Sequence, residues 1–442
     1  METLIERNIF LPVMLSLILI RPSQYETHST YTLDSLEIED LKVRLAESRD
    51  LCLKFLIGKM RGVEGGFYST YLEGHPKSTA YGVNHEVTSE STGLALAYAA
   101  TSRDLELFRE EFIFLKKYQV GSLGVTYWKL NPDLAPFRNI GGSYSSALID
   151  DLRILKALIK GYEVWRDDAY LDLARRMIGG VKNYMATDGL LVDNVDWTPT
   201  GSCLRSTTVI LGYIDFEALL KASEYDPSFI RSFNRGVEIV SNGRAGSTGL
   251  FYDLYNISTA RYSNIDSGPS STLQILTSLH LAEARLREVA EPTYQFFRDA
   301  YLKDGAIYSS YDPSGGNHSA YELDTGAYSL ASRLALLEGD IEFSLRVLTE
   351  KILPRQCMDS TSNLHGAFTS TWPEEYLDAN IWDNLLAINT IEEIIATINI
   401  SGEPEYSKTI FSLTIVAICV PTFAATYMLA RRCRSTRWMG KR

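Results

Sequence analysis

The sequence predicts an all-α fold, an (α/α)6 toroid of antiparallel helix pairs with short β pieces in its long loops. Three observations carry this. Apolar residues recur at three- and four-residue spacing through about twelve segments between 38 and 400. The breaks between segments alternate: a short polar one, then a long one rich in Gly, Tyr and Trp. No self-similarity of fixed period appears, which disfavours a solenoid.

The first helix is expected over 38–60, IEDLKVRLAESRDLCLKFLIGKM. The next two share 91–118 and break at Thr101-Ser102-Arg103-Asp104. A fourth is expected over 145–165 and a fifth over 169–185, after Arg166-Asp167-Asp168. Further pairs are expected at 207–223 with 226–241, 270–288 with 291–303, and 322–337 with 340–352. A last helix falls at 377–398. Short breaks such as SRDLELF and RDDAYLDLA supply an Asp or Ser to cap the following helix. Long linkers hold extended pieces such as GVTYWKL, GLLVDNVDWT and GLFYDLY, so functional loops gather at one end.

Both termini are apolar. NIFLPVMLSLILI (8–20) has the length of a signal-peptide core, so 1–30 is expected to be a signal peptide or N-terminal anchor, followed by a globular domain over 31–405. At the other end 409–430 runs 22 residues without a charge, long enough to span a bilayer. Six cations follow in 431–442, which predicts a cytoplasmic tail and an extracytoplasmic body: a single-pass protein of the cell membrane.

The 442 residues carry a net charge of -12, which argues against a nucleic-acid partner. The five cysteines form no C-x-x-C pair and the six histidines no cluster, so no metal site is expected. No Gly-rich phosphate loop or G-x-S-x-G elbow occurs.

The candidate chemistry is carboxylate chemistry. In VTSESTGLALAYAA (87–100), Thr88 or Ser89 can cap a helix that places Glu90 in its first turn. Glu90 is then either a favourable acidic first-turn residue or a desolvated carboxyl fit for general acid work. Asp150 and Asp151 sit in an otherwise apolar helix, and only Asp150 is well spaced to pair with Arg153. Burying both without a partner or a task is costly. Two more carboxylates, Asp253 and Asp266, stand ahead of the 270–288 helix, and Asp266 could equally serve an Asx-turn. Among the loop aromatics, Tyr144, Trp197 and Tyr252 are candidates to stack on sugar faces.

Together TSESTGLAL and the run from Ala147 through Asp151, Ile154, Ala157, Leu158 and Ile159 to Trp165 resemble glycoside hydrolase family 8. The first matches the Ser-Glu and following Gly of the family's acid phrase, the second its A-S/T-D-A/G-D signature. The IDDLR form looks like divergent members from exopolysaccharide operons. The resemblance implies an inverting mechanism with Glu90 as acid and Asp266 as base, with Asp253 the other choice. It also implies sugar binding by Asp150 and Asp151, no cofactor, and a β-linked polysaccharide as substrate. One departure is Ile149, which falls where the family carries the first Asp of its second signature. A tethered body further implies a polysaccharide synthase or export machinery as partner. Two rivals remain: a non-catalytic glycan-binding or assembly protein on the same toroid, favoured by Ile149, and a polysaccharide lyase.

Overall fold

The computed structural model describes residues 35–72, 85–314, 317–369 and 378–401. The apolar segments 8–20 and 409–430 lie outside them. None of the described helices is long and apolar enough to cross a membrane.

Among the described residues twelve α-helices follow one another: α1 Ser35–Phe55, α2 Ser89–Ser102, α3 Leu105–Phe114, α4 Leu148–Trp165, α5 Asp168–Tyr184 and α6 Phe216–Ser223, then α7 Phe229–Asn242, α8 Ser271–Glu283, α9 Arg287–Asp304, α10 Thr325–Glu338, α11 Ile341–Val347 and α12 Ile381–Ser401. The even-numbered helices touch in a closed ring, α2–α4–α6–α8–α10–α12 and back to α2. From α3 onward each odd-numbered helix packs outside the even-numbered one before it. The last gap is closed by the first helix. Arg49 of α1 pairs with Glu392 of α12 at 2.6 Å, and Cys52 lies 3.3 Å from the Asn384 amide oxygen.

Sequence explains this division. Inner helices must be apolar nearly all round, and α2 buries Leu94, Ala95, Leu96, Tyr98 and Ala99 together. In α4, Leu152, Ile154, Leu155, Leu158 and Ile159 are all withdrawn from water. Each such side chain contributes about 1.5–3 kcal/mol. Glycine sets the closest approach between layers: a Cβ on Gly161 of α4 would sit 2.3 Å from the Phe108 ring of α3.

The short links all run from an inner to an outer helix. Two of them put an arginine in the left-handed region, Arg103 (φ 59) and Arg166 (φ 58), just before a capping Asp. Asp104 accepts from the Leu107 N–H, Asp167 from Ala169 and Asp340 from Phe343, as the polar breaks predicted. The break expected after 288 falls instead at 284–286, where Arg285 takes the left-handed turn (φ 64).

The long links run from outer to inner helices, so every inner N-terminus opens on the same end of the ring. Backbone hydrogen bonds sew these linkers side by side. Ser89 N–H donates to Trp128, Trp128 to Ser145, Ser146 to Val195, Leu148 to Asp193, Asp193 to Thr208 and Leu211 to Asp253. The short antiparallel ladders, Val87–Thr88 with Lys129–Leu130 and Tyr144–Ser145 with Val195–Trp197, belong to this stitching.

Candidate active site

Glu90 is the second residue of α2. The Thr88 hydroxyl caps the helix by accepting the Ser91 N–H at 3.2 Å, so the cap is real and fixes where the helix begins. The Glu90 carboxyl, in the first turn, is half-buried. Burial first, then the charges of Asp150 and Asp324, push it up to about 7, against the pull of Arg153.

Asp150 and Asp151 lie in the first turn of α4, because the helix begins at Leu148 and not at 145 as expected. They diverge from there. Asp150 Oδ2 accepts the Ser89 hydroxyl at 2.6 Å and Oδ1 accepts Arg153 Nη1 at 2.9 Å. Its burial raises the carboxyl, and the Arg153 charge and these two bonds pull it back. Ser89 and Arg153 thus favour the ionised form of Asp150 against its burial. Asp151, completely buried, turns the other way and accepts the Thr126 N–H and hydroxyl, both at 2.8 Å. Burial pushes it up to about 8. It fixes the 120–130 linker to α4 and does not face the cleft. Ile149, at the position where a family carboxylate was missing, is buried, and Asp150 beside it supplies the charge next to Glu90.

The two candidate bases also separate. Asp253 is buried and saturated, accepting from Ile265 N–H, Ser270 N–H and Gln274 Nε2 at 3.0–3.1 Å. It organises the linker before α8. Asp266 is exposed on that linker and makes no hydrogen bond or ion pair among the described residues. Its charge reaches Asp253.

Of the aromatics, Tyr144 is half-buried, packed 4.9 Å from Tyr127, and its hydroxyl accepts Arg138 Nη2 at 3.1 Å. Trp197 is only 2% exposed and stacks beneath Tyr127 at 5.3 Å, so it supports the aromatic surface and does not offer a face of its own. Tyr252 stacks on Tyr262 at 5.9 Å.

A cavity of about 360 Å³ opens at this end, lined by Trp128, Asn139, Ser145, Asp193, Asn194 and Tyr213 among others. Tyr213 links it to the acidic centre: burial, then Asp150, Glu90 and Asp193, push its phenol up to about 12. On the facing side Asp324 caps α10 through Ala327 N–H at 2.7 Å, and buried Asp383 accepts Gly326 N–H at 2.6 Å. Sequence reading missed Asp193, Tyr213, Asp324 and Asp383. The last two sit where an acidic residue opens an inner helix, as Glu90 does, and that recurrence was the available signal.

Lower in the ring Asp215, His280 and Glu283 offer ligand atoms within 4.8 Å of one another. Lys156 Nζ already lies 2.7 Å from Asp215 and 2.9 Å from Glu283. Burial works against ionising Asp215, yet Lys156 and His280 hold it at about 2. The trio reads as an ion-pair network filled by an ammonium rather than a metal centre.

Comparison with known proteins places the architecture. No protein-family model matches the chain. A protein of Bacillus subtilis (strain 168) described as "Putative lipoprotein YdaJ" is 21% identical over 300 residues, 68% of this chain and 77% of its own. An alpha-amylase from Clostridium perfringens superposes with a TM-score of 0.68 at 23% identity, over 78% of this chain and 97% of that one. The endo-beta-1,4-glucanase CMCax of Acetobacter xylinum gives 0.54 at 18%, over 79% and 98%. Endoglucanase Cel10 of Klebsiella pneumoniae, a family 8 glycosyl hydrolase, gives 0.55 at 13%, over 79% and 99%. This chain has the fold of those hydrolases. The (α/α)6 expectation holds over the described helices, and the family 8 resemblance read from the two motifs agrees with it.

Proposed function

We propose that this chain is a glycoside hydrolase that cleaves a polysaccharide, with Glu90 donating the proton to the glycosidic oxygen. The observation that carries the reading is the pairing at the ring mouth. A carboxyl pushed up to about 7 stands beside a second carboxylate clamped by Ser89 and Arg153. A raised carboxyl beside a carboxylate held by a cation and a hydroxyl suits an acid and its electrostatic partner. A water attacking from the opposite face would invert the anomeric carbon. The fold's occurrence among solved glucanases supports a β-linked polysaccharide as substrate. One observation favours a second linkage: the alpha-amylase superposes better than these glucanases, so an α-linked glucan is the alternative.

The tether belongs to the same proposal. The charge-free run 409–430 with its cationic flank, and a relative described as a "Putative lipoprotein", support an extracytoplasmic body held at the cell membrane. Work on an exopolysaccharide beside its synthase or export machinery suits that location.

The test incubates wild type and Glu90→Gln with carboxymethyl-cellulose, xylan, soluble starch and native exopolysaccharide. Reducing ends should appear with one of them and fall about 10²–10⁴-fold in the variant. NMR of the first product should show the inverted anomer. Tight binding without cleavage, unchanged in Glu90→Gln, would show a glycan-binding protein instead.

A further inference from the structure

The cleft carboxylates differ in one respect that bears on the attacking water. Asp150 has a donor on each oxygen, Asp253 has three donors, and Asp196 is held by Ser145 at 2.6 Å and Asn194 at 3.1 Å. Asp324 and Asp383 each hold an N–H of the α10 first turn. Glu86 is paired with Lys129 at 3.1 Å. Asp193 is different. Its Oδ2 accepts the Thr208 hydroxyl at 2.6 Å, while Oδ1, withdrawn from bulk solvent, has no hydrogen-bond partner. A buried carboxylate oxygen without a donor is costly unless a ligand or water completes it. Asp151 also has an unpartnered oxygen, but that residue is sealed in the core and does not line the cavity.

Asp193 also stands in the right place. It lines the cavity that opens at the inner N-termini, together with Trp128 and Tyr213. Its backbone is fixed on both sides, the N–H to Thr208 O at 3.0 Å and the carbonyl to Leu148 N–H at 2.8 Å. That second bond ties it to the first turn of α4, the turn that carries Asp150. Tyr213 lines the cavity beside Asp193, and the charges of Asp150, Glu90 and Asp193 all reach its phenol.

We infer that Asp193 is the general base of the reaction, with its free Oδ1 accepting a proton from the attacking water while Thr208 holds Oδ2. This rests on the hydrolase reading above. In the step, the water oxygen bonds to the anomeric carbon as the carbon–oxygen bond to the leaving sugar breaks. Glu90 gives its proton to the departing oxygen and Asp193 takes one from the water. Glu90 is left as carboxylate and Asp193 as acid, and one proton exchanged through solvent restores both.

The test compares Glu90→Gln, Asp193→Asn and Asp266→Asn on carboxymethyl-cellulose, xylan and soluble starch. It adds the 2,4-dinitrophenyl glycosides of cellobiose, xylobiose and maltotriose, whose leaving group needs no acid. Glu90→Gln should lose the polymer and keep the dinitrophenyl glycoside. Asp193→Asn should lose kcat on both by about 10²-fold or more, with KM little changed. Asp193→Ala with sodium azide should recover turnover and release an inverted glycosyl azide, which a structural role would not give. A Thr208→Val variant, which keeps the carboxylate, should move the acid limb of the kcat profile to higher pH. Asp193→Asn acting on KM alone, or loss of both substrates in Asp266→Asn with Asp193→Asn active, overturns the assignment, as does an unmoved acid limb in Thr208→Val. No release of reducing ends or dinitrophenolate by the wild type from any of these substrates would instead sink the hydrolase reading itself.

Discussion

Replacing Asp151 with Asn should flatten the chain's stability against pH while leaving catalysis nearly intact. Asp151 is completely buried, and burial pushes it from 3.8 up to about 8. The folded chain therefore holds a proton that the unfolded chain releases. For a carboxyl raised on folding, the benefit is complete below the unfolded value and disappears as pH climbs towards the folded one. The window is pH 4 to 8. At 1.36 kcal/mol per unit, the loss reaches about 4 kcal/mol at pH 7 and about 6 kcal/mol above pH 8. Asn can still accept both Thr126 donors, so its bonds to the linker survive. Urea denaturation between pH 4 and 8 measures this as the difference between wild type and Asp151→Asn. The difference should grow by several kcal/mol in favour of the variant. Parallel curves across the window, or a kcat loss of a hundredfold, would refute the assignment of Asp151 to the linker anchor.

Other outcomes follow from the same contacts. The alkaline limb of kcat/KM should fall near pH 7, where Glu90 loses its proton, and Asp150→Asn should move that limb to lower pH as a repelling charge disappears. Lys156→Met should cost about 3–5 kcal/mol in a thermal or urea melt, because Asp215 and Glu283 lose the cation between them. Gly161→Ala should destabilise by about 1–3 kcal/mol, since its methyl would overlap the Phe108 ring; an unchanged melt would mean the α3–α4 contact is looser than described.

The helices were legible because their signals are local. Asp104, Asp167 and Asp340 cap the next helix whatever surrounds them, and the apolar runs of α2 and α4 declare burial by composition alone. Glu90 was legible for the same reason, since its cap and apolar continuation are adjacent in sequence. The rest of the site is not local. Asp150 and Asp151 are neighbours of one type, and only the packing of α2 against α4 sends one to Ser89 and the other to Thr126. Trp197 looked like a platform because loop aromatics are often exposed, and the strand pairing at Tyr144 and Trp197 instead turns its ring under Tyr127. Asp193 carries no motif. Its significance comes from a hydrogen bond to Thr208 and a cavity built from distant linkers. The helix ends hid another detail: α1, α3 and α11 each finish in a wide turn, Leu56–Met60, Leu115–Gln119 and Leu348–Ile352, which periodicity does not distinguish from ordinary helix.

The two ends of the ring face different evolutionary prospects. At the end joined by Arg103-Asp104 and Arg166-Asp167, two residues must both reverse the chain and cap a helix, so an inserted residue would pull a hairpin apart. At the other end the linkers run to about thirty residues and rest on each other through backbone bonds and small buried clusters such as Val87 with Leu130. Insertions there can reshape the groove while the ring stays whole. New sugars and linkages are therefore accessible to this scaffold by changes on one face alone.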